Sequence, residues 1–286
     1  MKDDDKSFIN YAEALKGFMH LQANIPHSSE QNVHKNNNLF TDERAEYLEK
    51  LQDYIFYRIG KMHCYGLGTE QDYTEAFKWF KESAELENKY AQYSLGNLYY
   101  YGKGVDQDYD KAFKWYMRSS NKGQPYAAYA VAQMYSKGES VDKDEKEANI
   151  YYEKALAGFL GLETSGLADD NLLYKIGRMY KYGLGSEKDM PKAIDYFTLA
   201  AELGNINAKR AMAIEYISGE NIAKDINKGI KLLTSLRYLI YSIPKNLIKY
   251  CSSNIILCLK KVNNTILKVI IQIGFTHIIS IPTDHR

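Results

Sequence analysis

Along most of the chain, apolar positions recur at helical spacing in short runs, each stopped by a glycine and followed by a polar loop. In YAQYSLGNLYYYG, Leu95, Leu98 and Tyr99 form one stripe, Gly96 leaves room for a neighbouring helix, and Gly102 ends the run. In the next run, YDKAFKWYMRSS, Ala112, Trp115, Tyr116 and Ser119 fall along one side. Neither stripe can be buried by its own helix, so the pattern predicts helical hairpins that cover one another.

The hairpin recurs. Aligned on one glycine, Gly66, Gly102, Gly138, Gly183 and Gly219 are spaced by 36, 36, 45 and 36 residues; Asp72, Asp108, Asp144, Asp189 and Asp225 follow six residues later at the same spacings. The glycine suits a left-handed helix C-cap, which costs a residue with a Cβ free energy. The aspartate suits an N-cap, since its carboxylate accepts from the free amides of the next helix and faces the positive end of its dipole. Glu75 and Glu147, three residues on, complete a capping-box pattern. Trp79 and Trp115 are expected to fill the space between hairpins as large buried aromatics, and Gly96 and Gly177 to permit close helix crossings. The expected fold is all-α: a right-handed solenoid of about five helix-turn-helix repeats of 36 residues, near 51–90, 91–126, 127–171, 172–207 and 208–236.

The pattern from Ala91 through Leu95, Gly96, Tyr99, Gly102, Gly104, Val105, Asp108, Lys111, Ala112, Trp115 and Tyr116 resembles the Sel-one-like repeat, a relative of the tetratricopeptide repeat. The third unit departs by Ala132 and Ser140 in place of glycines, and the fifth by Ala213, Asn221 and Gly229. The resemblance covers about residues 51–236 and implies an adaptor for protein partners with no catalytic motif of its own.

Ahead of the solenoid, which is taken as 41–236, residues 1–21 carry Phe8, Tyr11, Leu15, Phe18 and Met19 at helical spacing after a Ser7 cap. Residues 22–40, rich in Asn, Ser and His, read as a linker that separates this helix from everything downstream. The nine surplus residues of the 45-residue spacing fall in FLGLETSGLADD, residues 159–170; insertions in solenoids map to loops on one face.

Charge sharpens the boundaries. The chain of 286 residues is formally +1, yet residues 1–225 hold 28 basic and 35 acidic side chains, while 226–286 hold nine basic residues and only Asp284. An acidic repeat region argues against nucleic-acid binding by the repeats, which would need a basic face. The tail 237–286 is Ile-rich and basic. Its longest uncharged stretch, Val269 to Thr283, is too short for a membrane span. Three readings stand for it: a membrane-surface segment, a cap on the last repeat, or AT-rich coding sequence read out of frame. Three scattered cysteines, Cys64, Cys251 and Cys258, offer no disulfide framework, and MKDDDKSFIN is no secretory leader, so the expected compartment is the cytoplasm.

Chemistry is sparse. His20, His27 and His34 lie seven apart, but Pro26 breaks any helix that would align them for a metal, and His63 stands where other repeats have tyrosine. Ser-x-x-Lys occurs at Ser119, Ser140 and Ser242, without the companion motifs of acyl-transfer enzymes. No phosphate-binding loop is present. No enzyme activity, cofactor or metal is expected.

The candidate site is a column. Three residues before the packing glycine position come Tyr57, Tyr93, Tyr129 and Tyr174; one after it come Lys61, Asn97, Gln133 and Arg178; four after it, Tyr100 and Lys181 join Cys64 and Ser136. If the first helix of each hairpin lines the inner surface, these form a tyrosine ladder with polar neighbours able to pair with a peptide backbone. Packing between hairpins is the competing role for the same rings. The expected function is a scaffold that binds an unidentified protein or peptide on its inner face; the alternative is a detached repeat-bearing fragment of a larger enzyme, such as a DNA-mobilisation protein of a mobile element.

Overall fold

A computed structural model describes residues 2–24 and 42–241. The remaining residues, including most of the 22–40 linker and residues 242–286 of the tail, lie outside the described residues. Among the described residues there are eleven helices and no strand: α1 (Lys2–Asn24), α2 (Asp42–Tyr65), α3 (Tyr73–Glu85), α4 (Lys89–Tyr101), α5 (Tyr109–Asn121), α6 (Pro125–Lys137), α7 (Glu145–Thr164), α8 (Asp170–Tyr182), α9 (Met190–Glu202), α10 (Ile206–Ser218) and α11 (Ile226–Tyr241). Odd helices from α3 onward pair with the even helix before them, giving an all-α solenoid of hairpins. The chain forms two compact units, 1–203 and 204–286, with α10 and α11 the described helices of the second.

One aspartate closes each hairpin twice. Asp72 Oδ1 accepts from the amides of Thr74 at 2.8 Å and Glu75 at 3.0 Å, starting α3. Its own amide donates to the His63 carbonyl at 2.9 Å, satisfying an orphan acceptor at the end of α2. The same backbone bond joins Asp108 to Tyr99, Asp144 to Tyr135, Asp189 to Tyr180 and Asp225 to Tyr216. The reciprocal half of the expected capping box is therefore absent at Asp72 and Asp144, because the amide it needs is already bonded, and Glu75 turns to Lys78 instead.

A left-handed glycine ends each first helix, as at Gly102 (φ 63°), whose amide donates to the Leu98 carbonyl. The glycine two residues later serves a different purpose. A Cβ on Gly104 would lie 2.2 Å from the Tyr73 carbonyl oxygen, so the loop sits directly against the start of the preceding hairpin's second helix. In the third repeat Ser140 adopts the same left-handed backbone (φ 69°), and its hydroxyl donates to Asp110 at 2.7 Å. At Gly68 the neighbour is Tyr11 and Ala12 of α1. Thus α1 occupies the place that α3 takes against the second hairpin. Leu15 and Phe18 of α1 pack on Ile55, Phe56 and Ile59 of α2. The helix is therefore not separated from the repeats, and Ser7 is inside it rather than its cap.

The rings that close the core are one residue beyond the two tryptophans. Phe80, Tyr116 and Phe197 are at most 2% exposed, whereas Trp79 and Trp115 are half-buried. Trp79 leans on Phe56 at a centroid distance of 5.5 Å, and Arg118 covers Trp115 at 4.9 Å. Ser83 and Ser119, fully buried, tie each second helix to the first through bonds to the carbonyls of Asp53 (2.7 Å) and Lys89 (2.6 Å). In the second unit the small residues of the crossing are exchanged. Ala213 stands at the packing-glycine position and Gly229 at the alanine position opposite, where a Cβ would lie 2.9 Å from the Ala213 carbonyl oxygen.

The surplus of the third repeat is mostly helix rather than loop. The second helix α7 has 20 residues where α3, α5 and α9 have 13. Ala155, Leu156 and Phe159 continue its apolar stripe, and Pro125 fills the space beside Gly158, whose Cβ would lie 2.7 Å from it. The extension also sends Glu163 to the fourth hairpin, where it accepts from the Tyr196 hydroxyl at 2.8 Å.

Candidate functional site

Between α4, α6 and α8 lies a hollow of about 230 Å³. Of the column residues, it brings together Tyr93, Asn97, Tyr100, Tyr129 and Gln133. Tyr57 and Lys61 lie one repeat earlier, with Lys61 Nζ 5.9 Å from the Tyr57 ring. Tyr174, Arg178 and Lys181, on α8, are not among the lining residues.

The column tyrosines are packed rings. Each rests on the core aromatic of its own hairpin: Tyr57 on Phe80, Tyr93 on Tyr116 and Tyr174 on Phe197, at interplanar angles of 38°, 38° and 39°. This repeated tilt has a cause. In those three repeats a Cβ on the packing glycine (Gly60, Gly96 or Gly177) would lie 2.6–2.7 Å from the core ring, so the ring lies flat against bare backbone. Where Ala132 replaces glycine, Tyr152 stands at 68° to Tyr129. Tyr129 is only 6% exposed, with Phe159 of the α7 extension 6.3 Å behind it. The same Phe159 sits edge-on to Tyr126 at 4.9 Å, so the α7 extension packs behind two of the rings that line the hollow.

Polar groups are arranged around these rings. The Tyr116 hydroxyl donates to Asn97 Oδ1 at 2.8 Å. The Tyr100 hydroxyl donates to Glu139 at 2.8 Å and accepts from Lys137 at 3.0 Å, and Lys137 lies 3.4 Å from Glu139. Burial holds the hydroxyls of Tyr93, Tyr116 and Tyr129 above the usual tyrosine range and pushes that of Tyr126 up to about 12. They are hydrogen-bonding groups, not bases.

The column did not contain Lys175. It lines the hollow from α8, mostly buried, with Nζ 4.4 Å from the Tyr129 ring centroid and 5.7 Å from that of Tyr126. Burial first, and Arg178 second, lower its pKa. Other repeats have Arg58, Ser94 and Ala130 at this position, so no repeat-to-repeat comparison selects it. Tyr101, at the rim, is a second omission, and here a signal exists: Tyr65, Tyr101 and Tyr182 immediately precede their C-cap glycines and are 63%, 61% and 59% exposed.

The hydroxyls of two Ser-x-x-Lys motifs are engaged. Ser119 bonds the Lys89 carbonyl while Lys122 pairs with Glu87 at 2.7 Å; Ser140 bonds Asp110 while Lys143 pairs with Glu145 at 2.9 Å. The third, Ser242, lies outside the described residues. Among the described residues no cluster of His, Cys, Asp and Glu is arranged to hold a metal, and no helix is long and apolar enough to cross a membrane.

No curated protein sequence matches the chain. Among solved structures, it is similar to a Sel1 repeat protein from Oxalobacter formigenes at 27% identity and a TM-score of 0.49, over 72% of this chain and 82% of that one. It is also similar to a protective antigen of uropathogenic Escherichia coli displaying an SLR fold, at 23% identity and a TM-score of 0.41, over 67% of this chain and 47% of that one. A third is Helicobacter pylori cysteine rich protein B, at 20% identity and a TM-score of 0.34, over 41% of this chain and 91% of that one. The family profile of the Sel1 repeat matches residues 57–88, 89–124, 125–158, 172–205 and 206–235, more than half of the chain. With its capped hairpins in those same segments, and packing glycines in three of them, the chain belongs to the Sel1 repeat family, whose repeats are generally protein-interaction modules.

Proposed function

We propose that this protein is a non-enzymatic cytoplasmic adaptor that docks a segment of a partner protein in the hollow between α4, α6 and α8. The observation that carries this reading is the convergence of exposed Tyr101 and half-buried Tyr93, Tyr100 and Tyr126 with the amides of Asn97 and Gln133 on one concave site. Rigid rings supply contact area at low entropic cost, and side-chain amides pair with an extended backbone as donor and acceptor together. The rings are already held by their neighbours, so little ordering is lost on binding.

A photo-crosslinking aromatic residue in place of Tyr101 tests the site in the native cytoplasm. It should capture a discrete partner, while the same group at exposed Lys114 on α5 should not. Equal capture from both positions, or none from Tyr101, would contradict the reading.

A further inference from the structure

On the reading that the hollow docks a partner segment, we propose that it recognises an acidic side chain of that segment, with Lys175 receiving the carboxylate and Arg178, one turn along α8, reinforcing it.

Lys175 is a mostly buried cation whose ammonium faces two tyrosine rings. Among the described residues, no carboxylate pairs with Lys175 or with Arg178. Two acids of the adjoining elements are engaged elsewhere: Glu139 is held by Tyr100 and Lys137, and Asp169 accepts from the Leu172 amide at 2.7 Å as the cap of α8. Like charges three residues apart on a helix repel, and Arg178 adds to burial in disfavouring the ammonium form. A cation kept at such a place costs the free protein stability, and an incoming anion would remove that cost.

The attraction is local. Residues 1–225 carry 28 basic and 35 acidic side chains, so the repeat region as a whole repels anions. A carboxylate fits better than a phosphate, because the second lysine on the hollow, Lys137, already lies 3.4 Å from Glu139 and is not available to a doubly charged ligand.

The test uses the full chain and fluorescence anisotropy with labelled oligoglutamate and oligoglutamine peptides. Oligoglutamate should bind and oligoglutamine should not. Lys175→Met, which keeps an unbranched apolar side chain at that position, should weaken binding by about tenfold, a modest loss for a desolvated charge contact. Lys114→Met should leave it unchanged. Lys175→Met should also melt at or above the wild-type temperature, since it deletes a buried unpaired charge. Oligoglutamate binding that ignores Lys175, a Lys175→Met variant that melts below wild type, or displacement by inorganic phosphate but not by free glutamate would each overturn the proposal. Binding here is read without the natural partner. Lys175-dependent binding with no capture from Tyr101 would therefore count against the docking reading alone, and the reverse against the acidic-side-chain proposal alone.

Discussion

Tyr129 and Tyr101 line one hollow, yet their burial assigns them different work. Tyr129, 6% exposed and packed on Tyr152 and Phe159 with the Lys175 ammonium over its ring, belongs to the core; Tyr129→Ala should cost about 3 to 5 kcal/mol, read as a lowered denaturant midpoint. Tyr101, 61% exposed, should tolerate alanine within about 0.5 kcal/mol. Similar stabilities for the two variants would show the hollow's floor and rim to be misassigned. At this scale the sequence was legible wherever a residue type recurs at the repeat spacing, as in the tyrosine column. Lys175 escaped because its setting comes from neighbours on another helix, the Tyr126 and Tyr129 rings of α6. Trp79 and Trp115 misled for a related reason: size suggests burial, but the backbone next to Gly60 and Gly96 accepts the following ring instead.

At the level of elements, helix starts and stops were the most legible features, because capping is local chemistry. Asn88 starts α4 by accepting from the amides of Tyr90 and Ala91, each at 3.0 Å. Asn88→Ala should cost about 1 kcal/mol in thermal or denaturant melts; no loss would mean that solvent satisfies those amides equally well. The residue before it, Glu87, occupies the left-handed region at φ 68° and is held by Lys122 at 2.7 Å and Arg118 at 3.5 Å, both exposed pairs. Glu87→Gly should relieve backbone strain while losing the two exposed pairs and the bond that buried Gln92 donates from Nε2 at 3.2 Å, so stability should change by less than about 1 kcal/mol. A larger loss would show that the contacts between this turn and α5 outweigh the strain. The α7 extension was not legible as helix, since insertions in solenoids map to loops and the surplus residues 159–170 fall between two repeats. Gly158 is in fact needed by Pro125 at the start of α6, a long-range contact that no local rule reports.

For the whole molecule, buried tyrosines set a limit at high pH. Tyr57, Tyr126 and Tyr152 are each pushed from 10 up to about 12, chiefly by burial. Between those values the unfolded chain releases protons that the folded chain retains, so stability falls as pH rises from about 10 towards 12. Tyrosinate absorbance should therefore rise in step with loss of helical circular dichroism. Ionisation of these rings at their ordinary pKa with helicity intact would show that they are not buried. The hairpin stack itself was legible because its repeats obey one pattern; the hollow was not, because it gathers side chains from helices of successive repeats, among them Lys175, whose position holds other residue types elsewhere.

Hydrogen–deuterium exchange of the full chain, free and with the partner captured through Tyr101, addresses the docking claim most directly. Occupation of the hollow predicts slowed exchange in α4, α6 and α8, with α3 and α5 unchanged. Protection confined to α3 and α5, with α6 exchanging as in the free protein, would contradict it.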